Sequence, residues 1–257
     1  MWIMKTESVF ARLAASWLAR TGRVLKYTIL HPQWQANRLQ RQSSLYFVDI
    51  DNALVLDIGS GNADYQLPES NRFVRIDYPE TGRHYRNRPD IHADARMLPF
   101  KTASVDRVLL LEVLEHIPDT APVMEEIQRV LKPGGVLYIS VPFIYPAHDL
   151  PHDYFRFSVE GLQYLLQKHG LQPEIIRRHG NSVVSLLQIA NLVLLEPVRQ
   201  LLDRSRMLAI GCFLLLYPLC LLNNMLSIPV AWLDWPSRLY LGCFIKAVKR
   251  GEQRSPV

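Results

Sequence analysis

Short apolar runs that alternate with helix-like stretches between residues 53 and 178 constrain the fold of this chain more than any other feature. Six of these runs are predicted strands: 53–58, 73–76, 91–93, 105–111, 136–141 and 174–178. Residues 121–131 and 159–169 have the spacing of amphipathic helices. Strands that alternate with helices are typical of a parallel sheet covered on both faces. The sequence therefore predicts an α/β fold with a doubly wound sheet.

The first predicted strand ends in a glycine-containing turn, Asp57-Ile58-Gly59-Ser60-Gly61. Glycines at such a turn let a ligand approach the backbone closely. A dinucleotide site would have a small residue at position 64, beside the pyrophosphate, but this chain has Asp64 there. Carboxylates oppose a phosphate and suit a sulfonium or an ammonium group. A nicotinamide oxidoreductase is therefore a poorer interpretation of this turn.

Further acidic residues follow the next predicted strands. Asp77 ends the second strand, twenty residues after Asp57, where a carboxylate can accept hydrogen bonds from both hydroxyls of a ribose. Asp94 follows the third strand and Glu112 the fourth. Ligands of open parallel sheets bind at the carboxyl ends of the strands. These acids are therefore candidates for one ligand site.

Taken in order, these residues resemble the class I S-adenosylmethionine-dependent methyltransferases. The resemblance covers about residues 53–180. It rests on five pieces: Asp57-x-Gly59-x-Gly61, Asp77, Asp94-Ala95 with Leu98-Pro99-Phe100, Glu112 with Glu115-His116, and Leu131-Lys132-Pro133-Gly134-Gly135. It implies a Rossmann-like, doubly wound, seven-stranded sheet with S-adenosylmethionine as cofactor. The chain departs from the pattern at Ala63, where a third glycine is common, and in the eleven residues between Gly61 and Phe73, which leave a very short first helix.

The resemblance also implies a role for each cofactor residue. Gly59 and Gly61 lie at the methionine part of the cofactor, and Asp77 holds the ribose. Asp94 and Ala95 hold the adenine. The remaining two positions, Asp57 and the backbone near Glu112, face the ammonium group.

A polar loop, residues 143–157, follows the fifth predicted strand and contains two His-Asp pairs. An acceptor hydroxyl must lose a proton during methyl transfer, and histidine is suited to this near pH 7. We predict His152 as the base, His148 as the second candidate and Asp153 as an orienting neighbour. Substrate contacts are predicted for Tyr154 and Arg156. In the alternative interpretation, Arg156 pairs with Asp153 and the polar side chains cap the helix that starts near Ser158.

The loop resembles that of methyltransferases associated with polysaccharide or lipid-linked glycan assembly. This resemblance implies O-methylation of a glycan or a lipid-linked acceptor. The alternative function is a non-catalytic, cofactor-binding or scaffold subunit of a membrane-associated assembly.

The net charge of +5 is concentrated at one end of the chain. Residues 1–50 hold seven Lys and Arg against two acids, which gives +5, so the remaining residues sum to zero. Residues 2–26 have helical spacing with aromatic and basic side chains, which is typical of a helix lying on a membrane or of a helix that caps the domain. No nucleic-acid motif accompanies the charge, so no nucleic-acid partner is expected.

An apolar segment separates the sixth strand from a final predicted strand at residues 238–249. Val183–Leu195 is nearly all apolar, and Met207–Leu233 has no charged residue. Pro218, Pro229 and the charges near residue 204 argue against two full membrane crossings. We expect helices that enter one leaflet, with a hydrophobic lid or an oligomer surface as the alternative.

The predicted organisation has four parts: a basic arm (1–50), a cofactor-binding core (51–180), an apolar helical insertion (181–237), and a final strand with a basic tail (238–257). The three cysteines have no metal-binding spacing, so no metal site is expected, and they suit a reducing compartment. We expect a cytoplasmic protein, peripheral on the inner face of a membrane. The sequence does not predict an oligomeric state.

Overall fold

The computed structural model describes residues 25–43, 47, 50–61, 67–79, 89–231, 233 and 238–251. The strands are β1 (Leu54–Ile58), β2 (Arg72–Asp77), β3 (Ile91–His92), β4 (Val105–Leu111), β5 (Leu131–Pro142), β6 (Leu171–Arg178) and β7 (Gly242–Lys249). The helices are α1 (Trp34–Ser43), α2 (Thr120–Val130), α3 (Val159–Lys168), α4 (Ser182–Leu202) and α5 (Arg206–Ala231). A 3-10 turn at Leu114–His116 follows β4.

The seven strands form one sheet in the order β3-β2-β1-β4-β5-β7-β6. The first five are parallel, whereas β7 is antiparallel to both β5 and β6. The chain reverses direction across the sheet at β1 and β4, which are neighbours. In an open sheet, this switch point is where the carboxyl ends of strands leave a crevice for a ligand. The Rossmann-like doubly wound fold, with apolar helices before the last strand, is confirmed.

The core lies on both faces of the sheet. On one face, α2 and α3 bury Met124, Ile127 and Leu162 against side chains such as Leu56 and Leu110. On the other face, a second cluster contains Phe47, Ile50, Val55, Leu109, Tyr138 and Phe244. The two faces are separated by strand alternation, since Val55 and Leu56 point to opposite sides. This two-sided burial explains why the central strands are almost continuously apolar.

Several element bounds differ from those predicted; β6, for example, begins at Leu171 and not at residue 174. The Lys132-Pro133-Gly134-Gly135 stretch, predicted to end a helix, is also the start of β5, because Leu131 pairs with Val105 of β4. The last strand begins at Gly242 and not at residue 238. In the apolar segment, α4 has 21 residues and is longer than the predicted run Val183–Leu195, whereas α5, with 26 residues, nearly coincides with Met207–Leu233. The predicted N-terminal helix over residues 2–26 falls almost entirely outside the described residues, as do Ala63 and Asp64.

The chain divides into two compact units. The sheet unit comprises Arg41–Gly180 and Arg238–Val257, and the hairpin unit comprises Met1–Gln40 and Asn181–Ser237. The predicted four-part organisation stays a prediction.

The hairpin unit is built on α4 and α5, which are joined by three residues. Asn181 caps α4 by accepting hydrogen bonds from the backbone N–H groups of Val183 and Val184. The side-chain amide of Asn181 also donates to the carbonyl oxygen of Val230 at 2.9 Å. This bond joins the start of α4 to the end of α5. The two helices are therefore antiparallel.

The inside of the hairpin unit is polar. Asn191 of α4 donates to Oδ1 of Asn224 on α5 at 3.0 Å and to the carbonyl oxygen of Pro32 at 2.9 Å. Asn224 in turn donates to the carbonyl oxygen of Ile29 at 2.7 Å. Both asparagines are buried, as are Ser185, Gln188 and Ser227. These amides hydrogen-bond the segment before α1 to the two helices.

The outside of the hairpin unit is apolar. Met207 and Leu215 are 77% and 75% exposed. Other exposed apolar side chains on the two helices are Leu186, Val193, Leu208, Ile210, Leu214, Leu219, Leu222, Met225, Leu226 and Ile228. A polar interior under an apolar exterior is the reverse of the usual distribution in a water-soluble helical unit. By length and composition, both helices are able to span a membrane.

Candidate active site

The glycine turn after β1 is held tightly against the residues that follow β4. Gly59 has a φ of +71°, and a Cβ atom there would clash with Cγ2 of Val113. Its backbone N–H donates to the carbonyl oxygen of Ile76 at 2.8 Å. Glycine is therefore required at this position both by the backbone conformation and by the close approach.

Asp77 connects this turn to the end of β2. Its Oδ2 accepts a hydrogen bond from the backbone N–H of Gly61 at 3.1 Å, and its Oδ1 accepts from that of Tyr78 at 2.8 Å. The carboxylate is buried and held at the carboxyl ends of β1 and β2. This is the place predicted for the residue that holds a ribose.

Two further polar groups lie at the same edge of the sheet. Asp57, near the end of β1, is buried beside Leu109 of β4 and Arg75 of β2 in the strand register. Ser60 is buried in the turn, and its Oγ has no hydrogen-bond partner among the described residues. A buried hydroxyl without a partner is costly unless a ligand or water satisfies it. The turn therefore suits a polar ligand.

The predicted adenine residues follow β3. Asp94 is partly exposed and pairs with the Arg96 guanidinium at 2.6 Å. The hydrogen bond from Arg96 lowers the pKa of Asp94, so its carboxylate is ionised at neutral pH. Ala95 is buried in the core. An adenine amino group at Asp94 would share this carboxylate with Arg96.

Glu112 follows β4 in a left-handed backbone conformation, with a φ of +55°. Its backbone N–H donates to the carbonyl oxygen of Ser140 at 2.9 Å, and its Oε1 accepts from Oγ of Ser140 at 2.7 Å. Desolvation raises the pKa of Glu112. A left-handed backbone conformation is uncommon for glutamate, so the surrounding structure must hold Glu112 in it.

Glu115 is a site residue that the sequence analysis treated only as part of a family pattern. It lies in the 3-10 turn after β4 and is 0% exposed, and neither carboxylate oxygen has a hydrogen-bond partner among the described residues. Burial, together with the charge of Glu112, raises the pKa of Glu115 to about 9. The only signal in the sequence is its place directly after an apolar strand.

Loop 143–157 is held by an ion pair at its centre. The Arg156 guanidinium donates to both carboxylate oxygens of Asp153, at 2.6 and 2.7 Å. Asp153 is almost fully buried, and the bonds from Arg156 hold its pKa well below its usual range. Arg156 also donates to the carbonyl oxygens of Tyr145, Pro146 and Phe155. In this structure Arg156 thus fixes the loop, as in the alternative interpretation of the sequence.

Each loop histidine contacts a residue other than its neighbour in sequence. Nδ1 of His148 lies 3.5 Å from Oδ2 of Asp153, which also accepts from the backbone N–H of His148. Partial burial, and then the nearby His116, lower the pKa of His148. Nδ1 of His152 lies 3.0 Å from the hydroxyl of Tyr154. Asp153 therefore contacts His148 and not only the loop backbone.

The loop is joined to the turn after β4 by main-chain bonds. The backbone N–H groups of Tyr154 and Phe155 donate to the carbonyl oxygen of Glu115, at 2.9 and 3.3 Å. Nδ1 of His116 donates to the carbonyl oxygen of His152 at 2.6 Å. These bonds hold the two His-Asp pairs at the carboxyl ends of β4 and β5. The helix that follows is capped by Ser158 itself, whose Oγ accepts from Gly161.

Comparison with known proteins agrees with this geometry. Residues 56–139 match the family model described as a methyltransferase domain. The chain is 33% identical over 157 residues to the "Probable S-adenosylmethionine-dependent methyltransferase" of Mycolicibacterium smegmatis, a match that covers 51% of this chain and 61% of the relative. It is 32% identical over 120 residues to the demethylmenaquinone methyltransferase of Geobacillus stearothermophilus, covering 45% and 51%. The chain thus spans between half and two thirds of these relatives.

A solved structure with the same fold is the 1,6-didemethyltoxoflavin-N1-methyltransferase of Burkholderia thailandensis, bound to its substrate and S-adenosylhomocysteine. It is 17% identical, covers 98% of this chain and 99% of its own, and has a TM-score of 0.52. At this identity the likeness establishes the fold alone. Residues 56–139 are thus similar to methyltransferase domains, within a fold that this chain shares with a solved methyltransferase. S-adenosylmethionine, the cofactor that the sequence predicts, is also named in the description of the Mycolicibacterium smegmatis relative.

Proposed function

We propose that this protein transfers the methyl group of S-adenosylmethionine to a hydroxyl of a glycan or a lipid-linked acceptor. The observation that supports the proposal is that two groups of residues lie at the same edge of the sheet. The glycine turn and Asp77 lie at the ends of β1 and β2. Loop 143–157 is hydrogen-bonded to Glu115 directly after β4, the other neighbour of β1.

The cofactor residues fit a cationic, hydroxyl-rich ligand. Gly59 and Gly61 would lie along its methionine part, with Asp57 and Glu112 near the ammonium group. Asp77 would accept hydrogen bonds from the ribose, and Asp94 and Ala95 would line the adenine. When bound, S-adenosylmethionine supplies an already activated methyl group, so the protein contributes mainly by positioning the two reactants.

His152 is the base in this proposal. Its Nδ1 is held by the Tyr154 hydroxyl at 3.0 Å, and its backbone carbonyl is held by His116. This arrangement orients the ring and leaves Nε2 to take the proton of an acceptor hydroxyl. His148 lies deeper in the loop, between Asp153 and His116, and is the weaker candidate.

The other loop residues divide into two roles. Tyr154 is 44% exposed and is assigned to acceptor contact. Asp153 and Arg156 are positioning residues, because their charged groups bind each other and the loop backbone. Asp153 was predicted among the catalytic residues. In the proposal it instead orients His148.

The hairpin unit is proposed to bind a lipid membrane through its apolar outer surface. Burial of that surface would be favourable by about 25 cal/mol per Å² of apolar area. Asp203 and Arg204 lie between the two helices and Arg206 begins α5, and transfer of these charges across a bilayer would be costly. We therefore place the helices in one leaflet. A membrane location suits a lipid-linked acceptor.

Membrane binding is tested by flotation of the protein with phospholipid vesicles. Replacing Leu214, Leu215 and Leu222 with glutamine is expected to lower the vesicle-bound fraction at least tenfold, because each exposed leucine contributes to burial in lipid. The matched control replaces Met97 and Tyr164, which are exposed apolar residues of the sheet unit. Equal flotation of the triple variant and the wild type would contradict this mode of membrane binding.

The proposed activity is tested with methyl-labelled S-adenosylmethionine and membrane extracts that contain lipid-linked glycans. We expect label in the lipid-extractable fraction, and its release with the glycan after mild acid treatment. Label found in free small molecules only would contradict the acceptor class. A folded protein that binds S-adenosylhomocysteine but transfers no label to any fraction would favour the non-catalytic subunit.

A further inference from the structure

Three side chains from the turn after β4 and from loop 143–157 converge on one point. Glu115, His116 and His148 each offer one ligand atom, and these atoms lie within 4.8 Å of one another. The rings of His116 and His148 meet edge to face, with centroids 4.9 Å apart. None of the three has a role in the proposed cofactor site. Sequence spacing did not predict this group, because the two histidines are 32 residues apart.

Glu115 supplies the independent observation that a ligand belongs here. Its side chain is 0% exposed and aimed at His116, with Oε1 3.8 Å from Nε2, yet neither oxygen has a hydrogen-bond partner among the described residues. The nearby guanidinium of Arg156 donates its hydrogen bonds to Asp153 and to backbone carbonyls. A buried carboxyl group without a hydrogen-bond partner leaves polar atoms unsatisfied, and a bound cation would satisfy them.

The two imidazoles are oriented as metal ligands are. Nδ1 of His116 donates to the carbonyl oxygen of His152, which leaves Nε2 as the electron-pair donor on the side of Glu115. Nδ1 of His148 lies beside the Asp153 carboxylate. Histidine ligands in proteins commonly donate their second N–H to a carbonyl or a carboxylate in this way.

We propose that Glu115, His116 and His148 form a binding site for a divalent transition-metal ion, with Zn²⁺ as the ion that the donor set fits best. Two imidazole nitrogens and one carboxylate oxygen are typical ligands of zinc sites that keep an open position. Mg²⁺ and Ca²⁺ prefer oxygen ligands and do not suit two imidazoles. Asp149, whose Oδ2 lies 4.0 Å from Nε2 of His116, is a candidate fourth ligand.

The open position would take an oxygen of the acceptor. A metal-bound hydroxyl loses its proton more readily than a free one, which would assist the proposed base. This role rests on the proposed function, whereas metal binding itself rests only on the three side chains. The two are therefore tested by separate measurements.

The test uses the untagged full-length protein, freed of metal with a chelator and titrated with Zn²⁺ in a calorimeter. We expect one Zn²⁺ per chain, and we expect Glu115→Gln, His116→Ala and His148→Ala each to weaken binding at least 100-fold. The control His169→Ala removes a histidine at the opposite edge of the sheet, before β6, and is expected to bind Zn²⁺ normally. Co²⁺ in place of Zn²⁺ should give visible absorption bands that the three variants lose.

Two results would overturn the metal site: no stoichiometric Zn²⁺ binding, or binding that persists in all three variants. Binding of S-adenosylhomocysteine by each variant shows that it is folded, and Glu115→Gln is the mildest replacement if a histidine variant misfolds. Zinc binding without methyl transfer would refute the proposed function but not the site. Methyl transfer that is unaffected by a chelator would refute the role of the metal in the reaction.

Discussion

The His152→Ala variant is expected to transfer methyl groups about 10²- to 10⁴-fold more slowly than the wild type, the usual contribution of a general base. The Kd for S-adenosylhomocysteine should not change, because the cofactor residues lie in the glycine turn and at the strand ends. The hydrogen bond between the His152 carbonyl and His116 uses the main chain, so it survives the substitution. The measurement is the initial rate of label transfer at saturating cofactor.

A conservative change isolates the orienting contact. Tyr154→Phe removes the hydroxyl 3.0 Å from Nδ1 of His152 but keeps the ring. It should slow transfer less than His152→Ala does. A wild-type rate in His152→Ala would exclude His152 as the base. If that result came with a large loss in His148→Ala that persisted at saturating Zn²⁺, the base would be reassigned to His148.

The second large effect is expected at Asp77. Replacing Asp77 with alanine leaves the ribose hydroxyls without their acceptor, which costs about 1–3 kcal/mol, or about a 5- to 150-fold increase in the Kd for S-adenosylhomocysteine. The same carboxylate accepts from the Gly61 backbone, so its loss also loosens the turn. Asp77→Asn keeps one oxygen acceptor and should have a smaller effect. Thermal unfolding of both variants shows whether the fold is intact.

The sheet could be predicted from the sequence because each strand is a short apolar run between clear breakers. The seven-stranded, Rossmann-like sheet was implied by the family resemblance and is confirmed. The start of β5 was missed because Pro133, Gly134 and Gly135 are poor strand residues. Pairing of Leu131 with Val105 across the sheet overrides that local preference.

The first helix of the hairpin unit was predicted too short. The predicted run stopped at Leu195, before Glu196-Pro197, but Pro197 lies inside α4, just as Pro218 lies inside α5. Packing of α4 against α5, joined by the amides of Asn191 and Asn224, supports these helices along their length. Local propensity cannot reveal such support, because it comes from residues about 30 positions away in the sequence.

The sequence could name candidate residues for the site, but it could name few of the contacts between them. The placement of Asp77 beside Gly61 follows from parallel strands with neighbouring ends. In the loop, the pairing of Arg156 with Asp153 was one of two interpretations of the sequence, whereas the contact of Asp153 with His148 depends on how the chain turns. Glu115 was not predicted as a buried, unpaired carboxylate, since burial depends on how loop 143–157 folds over it.

The most direct test of the account is a calorimetric titration of the purified, detergent-solubilised protein with S-adenosylhomocysteine, with Asp77→Ala measured in parallel. We expect saturable binding of one molecule per chain and a 5- to 150-fold weaker Kd in the variant, as the loss of one buried acceptor implies (about 1–3 kcal/mol). No binding by a folded wild-type protein, or equal affinity in Asp77→Ala, would contradict the assignment of this edge of the sheet as the cofactor site.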